Sequence, residues 1–318
     1  MKEIGGYIEL EKSRNNLYYE DAVALNCGRN CLENAIRVKN IKKIKLPYYL
    51  CSTVRDKCDE LGVEINYYHI NDKFIPILDS VLEDEWVYVV NYYGLLHKDD
   101  ILDINTKCSH RLIVDNSQAF FKKPLKDIIT LYTCRKFFGV PDGAYLYIDK
   151  LLEKDLPVDI SYNRMNFLLG RFELGAEKFY NEYVDNNEFF SNEPLKKMSK
   201  LTDNLLRMID YDFVKKARTK NFRKLNKYLA DINELKLENI EGAFAYPLLI
   251  SNGIEVKSKL IKKKIFVPTL WNDGLEKLSE NDLETYYINN ILPIPCDQRY
   301  DEKDMEYIIK SIYDLLGG

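Results

Sequence analysis

Histidine is scarce in this 318-residue chain. There are three, His69, His97 and His110, none at metal-ligand spacing, which argues against a structural or catalytic zinc site. Seven cysteines, Cys27, Cys31, Cys51, Cys58, Cys108, Cys134 and Cys296, form no C-x-x-C pair and are odd in number. That scatter suits reduced thiols in a cytoplasm better than a disulfide framework. No apolar run approaches the ~20 residues that cross a bilayer, and Met1-Lys2-Glu3-Ile4-Gly5-Gly6 leads into charged sequence rather than a secretion signal. A basic field is missing too: the net charge is −4 with the signs mixed along the chain, so nothing grips nucleic acid. No G-x-G-x-x-G follows an apolar run, which disfavours a dinucleotide enzyme.

What is present suits a large domain plus a smaller one, divided here at 1–205 and 206–318. Apolar residues make up 46% of the chain, enough for a sizeable interior. In the first half, apolar runs at Ala22–Leu25, Lys43–Leu46, Trp86–Asn91, Arg111–Val114, Ile128–Thr133 and Ala144–Ile148 alternate with helical patterns. Examples of the latter are Leu32, Ala35 and Ile36 after Gly28, and Val54, Cys58 and Leu61 before Gly62. This alternation predicts an α/β fold, a three-layer α/β/α domain on a mostly parallel sheet. Farther on, 167–183 and 196–233 read as two long helices. A strand–helix–strand unit (244–250, 255–263, 265–268) and a last amphipathic helix (304–316) follow, making the C-terminal part α+β. Lys262 to Lys264 suit a helix C-terminus, where cations complement the dipole.

The informative stretch is 111–147. R-L-I-V-D-N-S-Q is an apolar strand ending on Asp115, with Gln118 three residues on; I-I-T-L-Y-T-C-R-K then leads to Arg135-Lys136 and a G-V-P-D-G turn. Ligands in open α/β sheets lie at the carboxyl ends of strands, so Asp115 and Lys136 are placed to face one pocket. Each has a plainer reading: Asp115 as a helix N-cap, Lys136 as a solvated surface lysine. Gly28, Arg29 and Asn30 open the first helix, where free backbone N–H groups suit an anion. Thr133 adds a hydroxyl.

These motifs resemble the DegT/StrS group of nucleotide-sugar aminotransferases, pyridoxal-phosphate enzymes of fold type I. In that group a strand ends in an Asp followed by Gln, and a Schiff-base lysine precedes a Gly-rich turn. L-N-C-G-R-N-C-L-E-N-A-I resembles the group's phosphate-binding helix start, and L-P-Y-Y-L-C-S-T its Pro-aromatic segment. V-V-N-Y-Y-G, N-R-M at Asn163 to Met165 and I-L-P-I-P-C-D-Q-R-Y are similar to three further signatures in the same order. The resemblance implies pyridoxal 5'-phosphate on Lys136 and Asp115 paired with its ring nitrogen, which keeps the ring an electron acceptor. Gln118 would meet the ring hydroxyl, and Gly28, Arg29, Asn30 and Thr133 the phosphate. It also implies a homodimer in which Asn163 and Arg164 reach the partner's site, an amino-acid donor such as glutamate, and a nucleotide-linked keto sugar destined for surface polysaccharide.

Departures from the group's pattern are local. Asp115 and Lys136 are 21 positions apart, as if a hairpin between two strands were trimmed. Where the group stacks an aromatic on the cofactor stands Leu50-Cys51, leaving Tyr49, Tyr93 or Cys51 to cover the ring. Two other functions stay open: a different pyridoxal reaction, dehydration or decarboxylation, and a non-catalytic or regulatory protein on the same fold. The group's sugar dehydratases carry His where Lys136 stands.

Overall fold

The computed structural model describes residues 4–150 and 155–317. Its first half alternates strand and helix: β1 (Val23–Leu25), α1 (Gly28–Lys39), β2 (Lys43–Pro47), α2 (Ser52–Glu60), β3 (Glu64–Tyr68), β4 (Glu85–Val90), α3 (Lys98–Lys107), β5 (Leu112–Asp115), β6 (Ile129–Thr133) and β7 (Ala144–Tyr147). The seven strands form one sheet in the order β1-β7-β6-β5-β4-β2-β3. Only β7 runs against the rest. β4 and β5 are hydrophobic nearly throughout, as strands covered on both faces must be. α1 buries Cys31, Leu32, Ala35 and Ile36 and stops at Asn40, whose left-handed backbone closes the helix.

β3 went unread in the sequence because it is a short strand on the sheet edge; its signal is the alternation of Val63, Ile65 and Tyr67 after the Gly62 turn.

The second half is more broken than its texture implies. The 167–183 stretch divides into α4 (Asn166–Leu174) and α5 (Tyr180–Phe189), because Gly175 takes a left-handed φ of 91° that ends the first helix. The 196–233 stretch divides into α6 (Lys200–Arg207) and α7 (Tyr211–Leu229), each with its own cap: Ser199 accepts from the Thr202 N–H and Asp210 from that of Phe213. Those two polar residues were the missed start signals.

β8 (Tyr246–Leu249), α8 (Gly253–Lys262), α9 (Leu283–Asn290), β9 (Ile291–Ile294) and α10 (Glu302–Leu316) complete the chain. Residues 265–268 form no strand; β8 pairs instead with β9, antiparallel, with Pro247 opposite Pro293. The I-L-P-I of the I-L-P-I-P-C-D-Q-R-Y signature is therefore a strand. Proline is tolerated because both strands of a two-stranded sheet are edges. A second core gathers Phe222 and Leu225 of α7, Leu260 of α8, and Met305 and Ile312 of α10. No helix among the described residues is long and apolar enough to cross a membrane.

Candidate functional site

The carboxyl ends of β1, β2, β4, β5 and β6 share one edge of the sheet, and a cavity of about 310 Å³ opens there. At one end lies the start of α1. Its N-cap, Cys27, is extended, offers no side-chain cap, and is followed by no acid in the first turn. The opening N–H groups and the positive end of the dipole are left for a ligand. Gly28 is required here, since a Cβ would stand 2.9 Å from Thr133 Cγ2. Two buried polar atoms on the same wall have no partner among the described residues: Arg29 Nη1 and Thr133 Oγ1. Arg135 joins them, held by Asn187 Oδ1 at 2.7 Å and lying over the Phe190 ring at 4.7 Å. Burial pushes its guanidinium below the ordinary value, and the nearby charge of Arg29 pushes the same way. Two guanidinium groups, a hydroxyl and a helix start without a counter-ion make a strongly anion-seeking corner.

Asp115 closes β5, opposite Val90 on one side and Leu131 on the other. It is 8% exposed, yet both oxygens are engaged: Oδ2 accepts the Tyr88 hydroxyl at 2.8 Å and Oδ1 the Ser117 N–H at 2.7 Å. Burial, with the adjacent carboxylate, raises the Tyr88 phenol well above its usual value, so it stays protonated and donates. Asp115 caps no helix; it is a held carboxylate in a cavity wall. Gln118 lines the same wall, its Oε1 accepting the Tyr93 N–H at 2.9 Å. Its Nε2 has no partner among the described residues.

Lys136 follows β6 by three residues and lines the cavity. It is exposed and has no ion pair among the described residues. The turn that presents it is fixed behind: the Phe137 and Phe138 N–H groups both reach the Cys134 carbonyl, at 3.0 and 2.9 Å. Farther on, Asp142 accepts the Ser199 N–H and hydroxyl, each at 2.8 Å, and the Thr202 hydroxyl.

Seven of the expected residues thus meet in one cavity: Lys136, Asp115, Gln118, Gly28, Arg29, Thr133 and Cys51. Five do not line it. The Asn30 side chain is buried against Asn26 Oδ1 and the Pro194 carbonyl, at 2.7 and 2.8 Å. Tyr93 and Tyr49 are core residues, the Tyr93 ring lying edge-on to Phe74 and Trp271. Asn163 is exposed, and Arg164 is paired to its own chain's Asp159 at 2.7 Å and lies over Phe189. The aromatic wall is instead Trp271, in left-handed backbone, beside Leu50 and Cys51. Asp273, two residues on, accepts the Ser52 N–H at 3.0 Å and so ties this late segment to α2. Sequence reasoning missed Trp271, Asn187 and Phe190, which reach the cavity from distant segments. It also missed Arg135 and Tyr88, whose adjacency to Lys136 and place in a strand facing Asp115 were the available signals.

No protein-family model matches the chain. Solved structures do. A DegT/DnrJ/EryC1/StrS aminotransferase from Brucella abortus superposes over 93% of this chain and 86% of its own, with a TM-score of 0.65 and 14% identity. The sugar aminotransferase CalS13 from Micromonospora echinospora gives 92%, 87%, 0.64 and 14%. NtdA from Bacillus subtilis, with its cofactor PMP bound, gives 93%, 73%, 0.67 and 12%. This chain has their fold. It is the pyridoxal-phosphate transferase fold of type I, and at these identities the likeness is one of fold. A curated protein, the DNA primase large subunit of Dictyostelium discoideum, is 29% identical over 98 residues. That is 31% of this chain, which spans only 20% of the primase subunit.

Proposed function

We propose that this chain is a pyridoxal-phosphate-dependent aminotransferase of the DegT/StrS kind. It would pass an amino group from an amino acid, glutamate first, to a keto group on a nucleotide-linked sugar for surface polysaccharide. The observation that carries the reading is that Lys136 and Asp115 line one cavity that also holds Arg29 and Thr133 atoms without partners among the described residues. Those orphans fit a phosphate monoester, because a buried donor without an acceptor is costly unless a ligand supplies one.

Bound there, pyridoxal phosphate supplies an aldehyde carbon that takes amines and a ring that accepts the electrons of a breaking C–H bond. Lys136 Nζ would hold the group and, as a free amine, would take the proton from the substrate carbon. Asp115, oriented by the Tyr88 hydroxyl and the Ser117 N–H, would pair with the protonated ring nitrogen. Gln118, on the same wall, would donate from Nε2 to the ring hydroxyl. Leu50, Cys51 and Trp271 line the cavity and would cover the ring and exclude water.

A division near residue 205 into a cofactor-carrying part and a smaller C-terminal part accompanies this reading, as do a cytoplasmic location and a homodimer with Asn163 and Arg164 near the partner's site. Transamination is tested by the half-reaction: protein loaded with pyridoxal phosphate and given glutamate should release one equivalent of 2-oxoglutarate per site and keep the nitrogen. Loss of carbon dioxide or ammonia instead would replace this function with decarboxylation or dehydration.

A further inference from the structure

Arg218, in the middle of α7, is 2% exposed and has no carboxylate within ion-pairing distance among the described residues. Asp297, whose charge acts on Arg218, is paired with Arg299 at 2.7 Å. Burying a cation this way is expensive, and an apolar side chain would fill the space at less cost. Its donors go to uncharged acceptors. Nε reaches Gln298 Oε1 at 2.8 Å, Nη1 the Ala243 carbonyl at 2.9 Å, and Nη2 the Phe137 carbonyl at 3.2 Å. Gln298 Nε2 donates to that same Phe137 carbonyl at 2.9 Å. A guanidinium can only donate, so the Gln298 oxygen must face it and the amide NH2 must face Phe137. The guanidinium also lies 4.5 Å from the Phe137 ring centroid. Phe137 is the residue after Lys136.

We infer that Arg218 and Gln298 form a latch that sets the position of Lys136 by gripping the next carbonyl in the chain. Both are positioning residues, contributed by α7 and by the segment after β9. The latch fastens the outer side of a turn whose inner side is tied at Cys134. Through it, any shift of the C-terminal segment against the sheet is delivered to the lysine. Its importance for catalysis rests on the proposed role of Lys136; its existence does not.

The test uses the full chain without cofactor, so it is independent of pyridoxal phosphate. Gln298→Glu keeps an acceptor for Arg218 but replaces the donor to Phe137 with an oxygen facing an oxygen. Amide exchange over residues 135–140 should accelerate roughly tenfold, while α8 and α10 exchange as before. The pH profile of Lys136 acetylation by acetic anhydride, read by peptide mass, should shift as well. Arg218→Lys, if it folds, should do the same, since one ammonium cannot span these acceptors. Unchanged exchange at 135–140 in Gln298→Glu would overturn the latch. Faster exchange with an unmoved Lys136 profile would overturn the positioning role and leave only a structural tie. A chain that never takes pyridoxal phosphate would sink the functional reading, with both of these measurements still deciding the latch.

Discussion

Gly28 and Thr133 approach too closely for any other residue at position 28: a Cβ there meets Thr133 Cγ2 at 2.9 Å. Gly28→Ala should therefore push α1 off β6 at a cost of about 1–3 kcal/mol, the range for overpacking, and open the anion corner. Removing the methyl while keeping the hydroxyl should undo this. Gly28→Ala/Thr133→Ser is expected to recover most of the lost stability in a urea titration and most of the lost affinity for inorganic phosphate. A double variant no better than the single one would show that the contact does not matter. At this scale the sequence was legible where the candidate site lies on two strand exits: Asp115 ends β5 and Thr133 ends β6, and Gln118 and Lys136 each follow by three residues. Trp271 and Asn187 were not legible, because only tertiary packing brings them in.

Among the elements, the turn after Lys136 is tied to the start of α6. Asp142 is fully buried and gathers three donors from the start of α6. Burial raises its carboxyl above the ordinary value, against the lowering effect of the Thr202 and Ser199 bonds. The native state therefore keeps a proton that the unfolded chain has already lost. Its contribution is complete below the ordinary carboxylate value of about 3.9 and declines as pH rises through the raised native one. Asp142→Asn cannot titrate there. Chemical denaturation of both proteins from about pH 4 to 7 should show the wild type losing ground relative to the variant as pH rises. A constant gap, or one that moves the other way, would mean that the native carboxyl is not raised. Fully buried strands were readable from composition alone, whereas the helix breaks turned on single residues, Gly175, Ser199 and Asp210, inside stretches that otherwise look continuous.

On the whole molecule, α4 leaves Leu169, Phe172 and Leu174 58%, 91% and 66% exposed. Apolar residues this bare on one helix suit a contact between copies, in keeping with the proposed dimer. Sedimentation velocity should find dimers, and Phe172→Asp should weaken them by about 2 kcal/mol or more. A wild type that is monomeric throughout a dilution series would remove the dimer from the functional proposal. The overall architecture was readable because alternating strands and helices admit few arrangements, while the pairing of β8 with β9 depended on a long-range partner that local pattern does not reveal. Everything proposed about chemistry turns on one lysine. After incubation with pyridoxal phosphate and reduction with borohydride, mass analysis should find the cofactor on the peptide bearing Lys136, and Lys136→Ala should abolish the label. Labelling spread over surface lysines, with Lys136 unmodified, would contradict the central claim.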